Sequence, residues 1–200
     1  MFHSEKIFRE IQQLQEDLIR AQPIDANHKR LTQDVIRDFV PLIDARNKTV
    51  LDIGCGQGVA KLAWESAGYE WTGVTASNQD CRVLAEKGWR YYKIDMHEIS
   101  DCSFGVVYAR HVLEHSPYPT MALQAWRKIA PWMIVVVPEE RVEAYIHIGH
   151  ISLFPMATWK RYFQFLGLDI IRSQQVPYNN PPQFPQGGSE YRFLLKTDMP

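Results

Sequence analysis

The sequence predicts an α/β fold of the doubly wound kind: a seven-stranded, mostly parallel sheet with helices on both faces. Two observations carry that expectation. From residue 49 onward, short apolar segments alternate with amphipathic helical ones, the pattern of successive β-α-β units. A cluster of glycines follows the first of these strands, at the turn where open parallel sheets leave room for ligands. With 46% hydrophobic and 22% charged residues the chain composition is that of a folded protein, and 200 residues suit one domain of ordinary size.

In chain order, Ile7, Ile11, Leu14 and Leu18 share one helical face and predict a first helix over about residues 4–20. Two heptads are too few for a self-standing coiled coil, so this face is expected to pack on the core. A second helix follows Pro23, carries Leu31, Val35, Ile36 and Phe39, and ends before Pro41. Thr49–Ile53 is the first strand, followed by the glycine turn and a helix over 59–67 that Gly68 caps. Glu70–Thr75 is the second strand, 79–87 a helix ended by Gly88, 89–94 the third strand and 104–109 the fourth. After a helix over 118–129, the strand at 133–137 is apolar throughout, as a sheet centre covered on both faces requires. The pattern loosens over 141–151, then gives a helix over 156–166 closed by Gly167, a strand over 168–173 and a last strand over 191–196. The proline-rich stretch 176–190 between those two strands is too long for a tight hairpin and reads either as a surface loop or as a lid over a ligand.

Cys55, Cys81 and Cys102 show no C-x-x-C spacing, which points to a reducing compartment and away from a structural zinc ribbon; the cytoplasm is the expected location. The first 20 residues lack the apolar run of a signal peptide, and the longest apolar run, 132–137, is too short to span a membrane. The 22 Lys plus Arg nearly balance 23 Asp plus Glu, and no basic run exceeds Lys29-Arg30 or Lys160-Arg161. Coating of a nucleic acid is therefore not expected, which leaves recognition of a single terminus or a small molecule.

The glycine turn reads Val50-Leu51-Asp52-Ile53-Gly54-Cys55-Gly56-Gln57-Gly58. A dinucleotide fingerprint would put its third glycine at position 59, where Val59 stands, and the Lys-Ser/Thr of a P-loop is absent. Pyrophosphate is thus not indicated. Glycines at a strand-to-helix turn admit a close ligand and exposed amides favour a carboxylate, so a ligand with an amino-acid end fits. These residues resemble motif I of the class I S-adenosylmethionine-dependent methyltransferases, and the resemblance covers about residues 30–197. It implies a Rossmann-like fold, S-adenosylmethionine as cofactor, and a cradle for its methionine part at Asp52, Gly54, Cys55, Gly56 and Gly58. The family normally carries an acid at the end of the second strand for the ribose. This chain reads Gly73-Val74-Thr75-Ala76-Ser77-Asn78-Gln79, similar to the G-V-T-x-S form of cyclopropane-synthase relatives, which implies Thr75, with Ala76 beside it, or Gln79 at the ribose. Asp95 and Met96 match the acid that meets the adenine amine and the backbone beside it, and Arg110 joins the cofactor shell at the end of the fourth strand. An Asp after a strand is often only a turn residue; the ordered series of matches favours the cofactor role. One methyltransferase domain is expected over residues 1–200, with N-terminal helices to 40, a cofactor-binding half over 41–138 and an acceptor-side half over 139–200.

The fourth strand runs into Arg110-His111-Val112-Leu113-Glu114-His115-Ser116-Pro117. In a helical turn, His111, Glu114 and His115 stand at i, i+3 and i+4 and share a face toward the strand ends, with Val112 and Leu113 packed inward. Three readings are open. In the first, His115 is a general base that takes a proton from an acceptor hydroxyl. In the second, the three residues hold one divalent metal ion that lowers the hydroxyl's pKa. This placement resembles the E-x-x-E-H of ubiquinone-pathway O-methyltransferases and small-RNA terminal 2′-O-methyltransferases, with His111 replacing the first acid. Gly149-His150-Ile151-Ser152-Leu153-Phe154 is similar to the downstream segment of the RNA enzymes, which implies His150 as a further ligand. Such a nitrogen-rich set suits zinc, iron or nickel better than magnesium. L-E-H also occurs in metal-free members, where it only fixes the loop. In the third reading, H-x-x-E-H is the inverzincin metallopeptidase signature, but a peptidase gives no reason for the glycine turn or the alternating strands.

Asn180-Pro181-Pro182 is similar to the N-P-P-[YFW] of DNA amino-methyltransferases, yet stands in a late loop instead of after the fourth strand, so base methylation is not expected. Trp159, with Tyr162 and Phe163, either packs in the core or lines an acceptor pocket. The resemblance implies methyl transfer from S-adenosylmethionine to a small-molecule acceptor, oxygen first. The alternatives are a metal-assisted RNA-terminal 2′-O-methyltransferase and a catalytically inactive cofactor-binding subunit. The formal charge of −1 leaves out seven histidines, of which His111, His115, His147 and His150 fall on the acceptor side.

Overall fold

The structure, a computed structural model, describes residues 26–139, 149–178 and 188–197. The helix predicted over about 4–20, His147 and the Asn180-Pro181-Pro182 motif lie outside those residues, as does most of the 141–151 segment.

In chain order the described elements are α1 (Ala26–Phe39), β1 (Thr49–Ile53), α2 (Lys61–Ser66), β2 (Glu70–Thr75), α3 (Asn78–Glu86), β3 (Tyr91–Lys93), β4 (Val106–Arg110), α4 (Pro119–Trp126), β5 (Trp132–Glu139), α5 (Met156–Phe165), β6 (Leu168–Pro177) and β7 (Ser189–Thr197). The strands form one sheet in the order β3-β2-β1-β4-β5-β7-β6. It is parallel from β3 to β5, and β7 lies antiparallel between β5 and β6.

Each face of the sheet buries a separate apolar layer, which is why the central strands carry apolar side chains on both sides. On one face, Val35, Ile36 and Phe39 of α1, Trp64 of α2 and Leu84 of α3 cover Val50, Val106, Tyr108 and Ile134. On the other, Trp126 of α4 and Trp159 and Phe163 of α5 cover Leu51, Val107, Val135 and Phe193. The buried residues of α1 recur at helical spacing, its Arg30–Asp34 and Arg37–Asp34 pairs stay on the outer side, and Pro41 turns its end into a 3-10 turn. No helix among the described residues is long and apolar enough to cross a membrane.

Three strands differ from expectation for identifiable reasons. β3 has three residues in place of the predicted 89–94, because Trp89 leaves the strand: its amide closes the end of α3 on the Leu84 carbonyl and its ring packs beneath Gly58. β6 and β7 reach further into the proline-rich stretch than 173 and 191, to Pro177 and from Ser189, and the Tyr178 amide continues the ladder to the Gly188 carbonyl. β6 is the sheet edge, where a proline is tolerated.

Candidate active site

Strand order reverses between β1 and β4, so a crevice opens at their carboxyl ends. Ile53 pairs with Ala109, and the glycine turn and the 110–116 segment therefore leave the sheet side by side. Gly54 has φ +68°, and a Cβ there would stand 2.5 Å from Val112 Cγ2, so the two segments meet at a distance only glycine permits. Gly58 is pinned in the same way against Trp89, whereas a Cβ on Gly56 would meet nothing within 4 Å. The turn is thus packed at its ends and open at its middle, which suits close approach of a ligand to the backbone. Cys55 donates its amide to the Val74 carbonyl, and burial pushes its thiol well up. Asp52 is buried and accepts from Trp71 Nε1 at 2.9 Å; burial pushes its carboxyl up to about 7 against that bond.

At the end of β2, Thr75 Oγ1 accepts from the Ser77 amide at 3.1 Å and donates to Asp80 Oδ2 at 3.4 Å. Ala76 is half-buried and Gln79 lies exposed in the first turn of α3. Asp80 brings an acid to the strand end that lacks one in sequence; its signal was the Ser77-x-x-Asp80 spacing, which caps α3 through the Asp80 amide. After β3, Asp95 Oδ1 is held by His97, and the Met96 carbonyl accepts from Trp126 Nε1 at 2.8 Å.

On the acceptor side, Val112 and Leu113 pack inward as expected, but Leu113–His115 is a 3-10 turn and His111 stands outside it at φ +53°. The shared face of His111, Glu114 and His115 is therefore not formed. His111 Nε2 turns instead to Glu190 Oε2 at 3.0 Å and to the Tyr178 hydroxyl at 3.4 Å. Glu190 draws it there as the hub of a buried charge cluster, accepting from Arg110 Nη2 at 2.9 Å and Arg192 Nε at 2.7 Å. Burial works to raise the Glu190 carboxyl, but Arg110, His111 and Arg192 outweigh it and hold the group well below the usual carboxylate range. Burial first, then Arg110, push His111 down, which keeps its ring neutral at pH 7. Arg110 also reaches His28 of α1 at 3.2 Å. Glu190 and Arg192 were legible only as two charges at period two in a strand whose centre, Phe193 to Leu195, is apolar.

Glu114, His115 and His150 do come together, with one donor atom from each lying within 4.8 Å of the others. Glu114 is wholly buried, 3.9 Å from His150 Nε2, and the two imidazole centroids are 4.8 Å apart. His115 Nδ1 lies 2.9 Å from the Gly149 carbonyl, which can only accept, so Nδ1 carries a proton. Trp159 and Phe163 are fully buried and pack on Phe154 and Phe193, which places them in the core and not in a pocket.

Residues 24–173 match the methyltransferase domain family. The chain belongs to the class I S-adenosylmethionine-dependent methyltransferases. This methyltransferase is 28% identical over 127 residues to the ubiquinone biosynthesis O-methyltransferase of Idiomarina loihiensis, a match spanning 51% of this chain and about half, 52%, of that relative. Its fold resembles the magnesium protoporphyrin IX methyltransferase of Synechocystis PCC 6803 solved with bound SAH (TM-score 0.69, 13% identity, 98% of this chain and 96% of that one). It resembles the [4+2]-cyclase SpnF almost as well (TM-score 0.68, 14% identity, 86% and 82%). At such identities the likeness is one of fold: the methyltransferase has the seven-stranded Rossmann-like sheet of its class.

Proposed function

We propose that this methyltransferase transfers the methyl group to a hydroxyl oxygen of a small-molecule acceptor, with His115 as general base. The observation that carries this reading is the bond from His115 Nδ1 to the Gly149 carbonyl, which fixes the ring and makes Nε2 the nitrogen that takes the proton. S-adenosylmethionine, when bound, supplies a methyl carbon on a sulfonium, open to attack by an oxygen that gives up its proton. The chain's own part is to align and to hold protons. Gly54, Gly56 and Gly58 admit the methionine end to the backbone, with Asp52 and Cys55 behind them; Thr75, Ala76, Gln79 and Asp80 face the ribose; Asp95 and Met96 face the adenine. Arg110, on the cofactor side, and His111, on the acceptor side, are both anchored by Glu190. The similarity to the ubiquinone biosynthesis O-methyltransferase of Idiomarina supports oxygen as the acceptor atom.

The test has two stages. Calorimetric titration with S-adenosylhomocysteine should give one site per chain, and no heat at millimolar ligand would overturn the cofactor assignment. Methyl-tritiated S-adenosylmethionine then screens phenols and catechols; on an accepted one, His115→Ala should lower kcat by about 10²–10⁴-fold with cofactor affinity kept. A variant retaining half the rate removes His115 from the chemistry.

The Glu114, His115 and His150 cluster favours a second reading, in which one divalent ion orients the acceptor hydroxyl of a small molecule or an RNA terminus. Metal bonds of about 2.1 Å allow donors at most about 4.2 Å apart, so the set would have to close slightly. His111, turned to Glu190, is not among these three donors. Elemental analysis of protein prepared without chelator should then find near one equivalent of zinc, iron or nickel, lost in His150→Ala. Full activity in excess chelator excludes the ion.

A further inference from the structure

His97 belongs to no motif, yet its ring bridges the cofactor side and the acceptor side. Nδ1 lies 2.6 Å from Asp95 Oδ1 and Nε2 lies 2.7 Å from Ser116 Oγ. The three side chains are enclosed: His97 is 8% and Asp95 14% exposed, and Ser116 is buried. Ser116 Oγ also accepts from the Tyr118 amide at 3.0 Å. With its proton on Nδ1 the ring satisfies every bond in the run: Tyr118 N–H donates to Ser116 Oγ, Ser116 O–H to His97 Nε2, and His97 Nδ1–H to Asp95 Oδ1. All donors point the same way, so each bond polarises the next toward the carboxylate.

The backbone amide of His97 reaches the same Oδ1 at 2.9 Å. Two donors on one oxygen fix the rotation of the carboxylate. We propose that His97 is a positioning residue that sets Asp95 to read the exocyclic amine of the cofactor's adenine, and that Ser116 holds His97 in the tautomer this needs. The proposal rests on the reading that Asp95 meets that amine. A carboxylate locked in this way accepts from an amine at C6 and repels a carbonyl oxygen there, so it makes the site selective for adenine over a 6-oxopurine. The far end of the run is anchored too. The Ser116 carbonyl accepts from Ser152 Oγ, and the Glu114 carbonyl accepts the amides of Ile151 and Ser152. The turn that carries His115 is thereby fastened to the adenine-side acid through one imidazole.

The experiment compares S-adenosylhomocysteine with S-inosylhomocysteine, which carries oxygen at C6, by calorimetry on the full chain. The parent should prefer the adenosyl form by on the order of a hundredfold, and Asp95→Ala should abolish that preference. His97→Ala should weaken the adenosyl ligand roughly tenfold and the inosyl ligand little, so the ratio falls about tenfold. His97→Asn, whose amide can stand in for the Nδ1 donor, should recover most of the ratio, and Ser116→Ala should give an intermediate value. If His97→Ala does not fold, His97→Phe, which keeps ring volume without a donor, replaces it. A ratio lost in Asp95→Ala but unchanged in the His97 and Ser116 variants overturns the role of His97 and leaves that of Asp95 standing. An unchanged ratio in Asp95→Ala overturns both.

Discussion

Asp52 is an acid placed where its charge is hardest to keep, inside the sheet one residue before the glycine turn. Burial raises its carboxyl from 3.8 to about 7, so the folded chain holds a proton there that the unfolded chain releases near pH 4. The stability linked to that proton is fully present below about pH 4 and is lost as pH rises through 7, at up to about 1.4 kcal/mol per pH unit. Asp52→Asn keeps an acceptor for Trp71 and removes the titration, so the fall in urea midpoint between pH 4 and 7 should flatten; a slope identical to the parent would show that Asp52 is already ionised. The conformation of the three glycines could be read from sequence because a tight strand-to-helix turn with positive φ restricts which residue types it takes. His111 could not, since its place depends on one positive φ that spacing does not reveal. Nor could Glu190, whose partner Arg110 stands 80 positions earlier.

The turn between β1 and α2 separates two uses of glycine. Gly54→Ala puts a methyl into Val112 at a φ that already disfavours side chains, and should cost about 2–4 kcal/mol and the binding of S-adenosylhomocysteine together. Gly56→Ala carries only the backbone cost of about 1–2 kcal/mol, because the space is open. It should nevertheless weaken S-adenosylhomocysteine at least tenfold, since the methyl occupies the approach to the backbone. Thermal denaturation and calorimetry on both variants check this, and equal affinity losses without a stability difference would contradict it. Among the elements, β1 and β2 match their predicted ranges because glycines mark their borders, Gly54 after β1 and Gly68 shortly before β2. β3 was over-read because an aromatic residue looks the same in a strand as beneath a turn. β6 and β7 were under-read because proline does not end a strand at a sheet edge.

Over the whole molecule, burial is graded across the sheet: every residue of β5 but the last is buried, while edge strand β6 is buried only at Leu168. Amide hydrogen exchange should follow that gradient, slowest in β4 and β5 and fastest in β3 and β6; uniform protection would mean that the sheet opens only as one unit. The doubly wound architecture was legible because alternating elements and short connections leave few topologies, and the antiparallel insertion of β7 was not, because pairing across 50 or more residues has no local signal. That insertion has a consequence for biosynthesis. Arg110 leaves the ribosome long before Glu190 exists, and β7 must pair with β5 before the arginine has its counter-charge. The glycine turn can therefore form on the nascent chain while Arg110 waits for the final strand, so a stalled or shortened polypeptide would leave that arginine without its carboxylate.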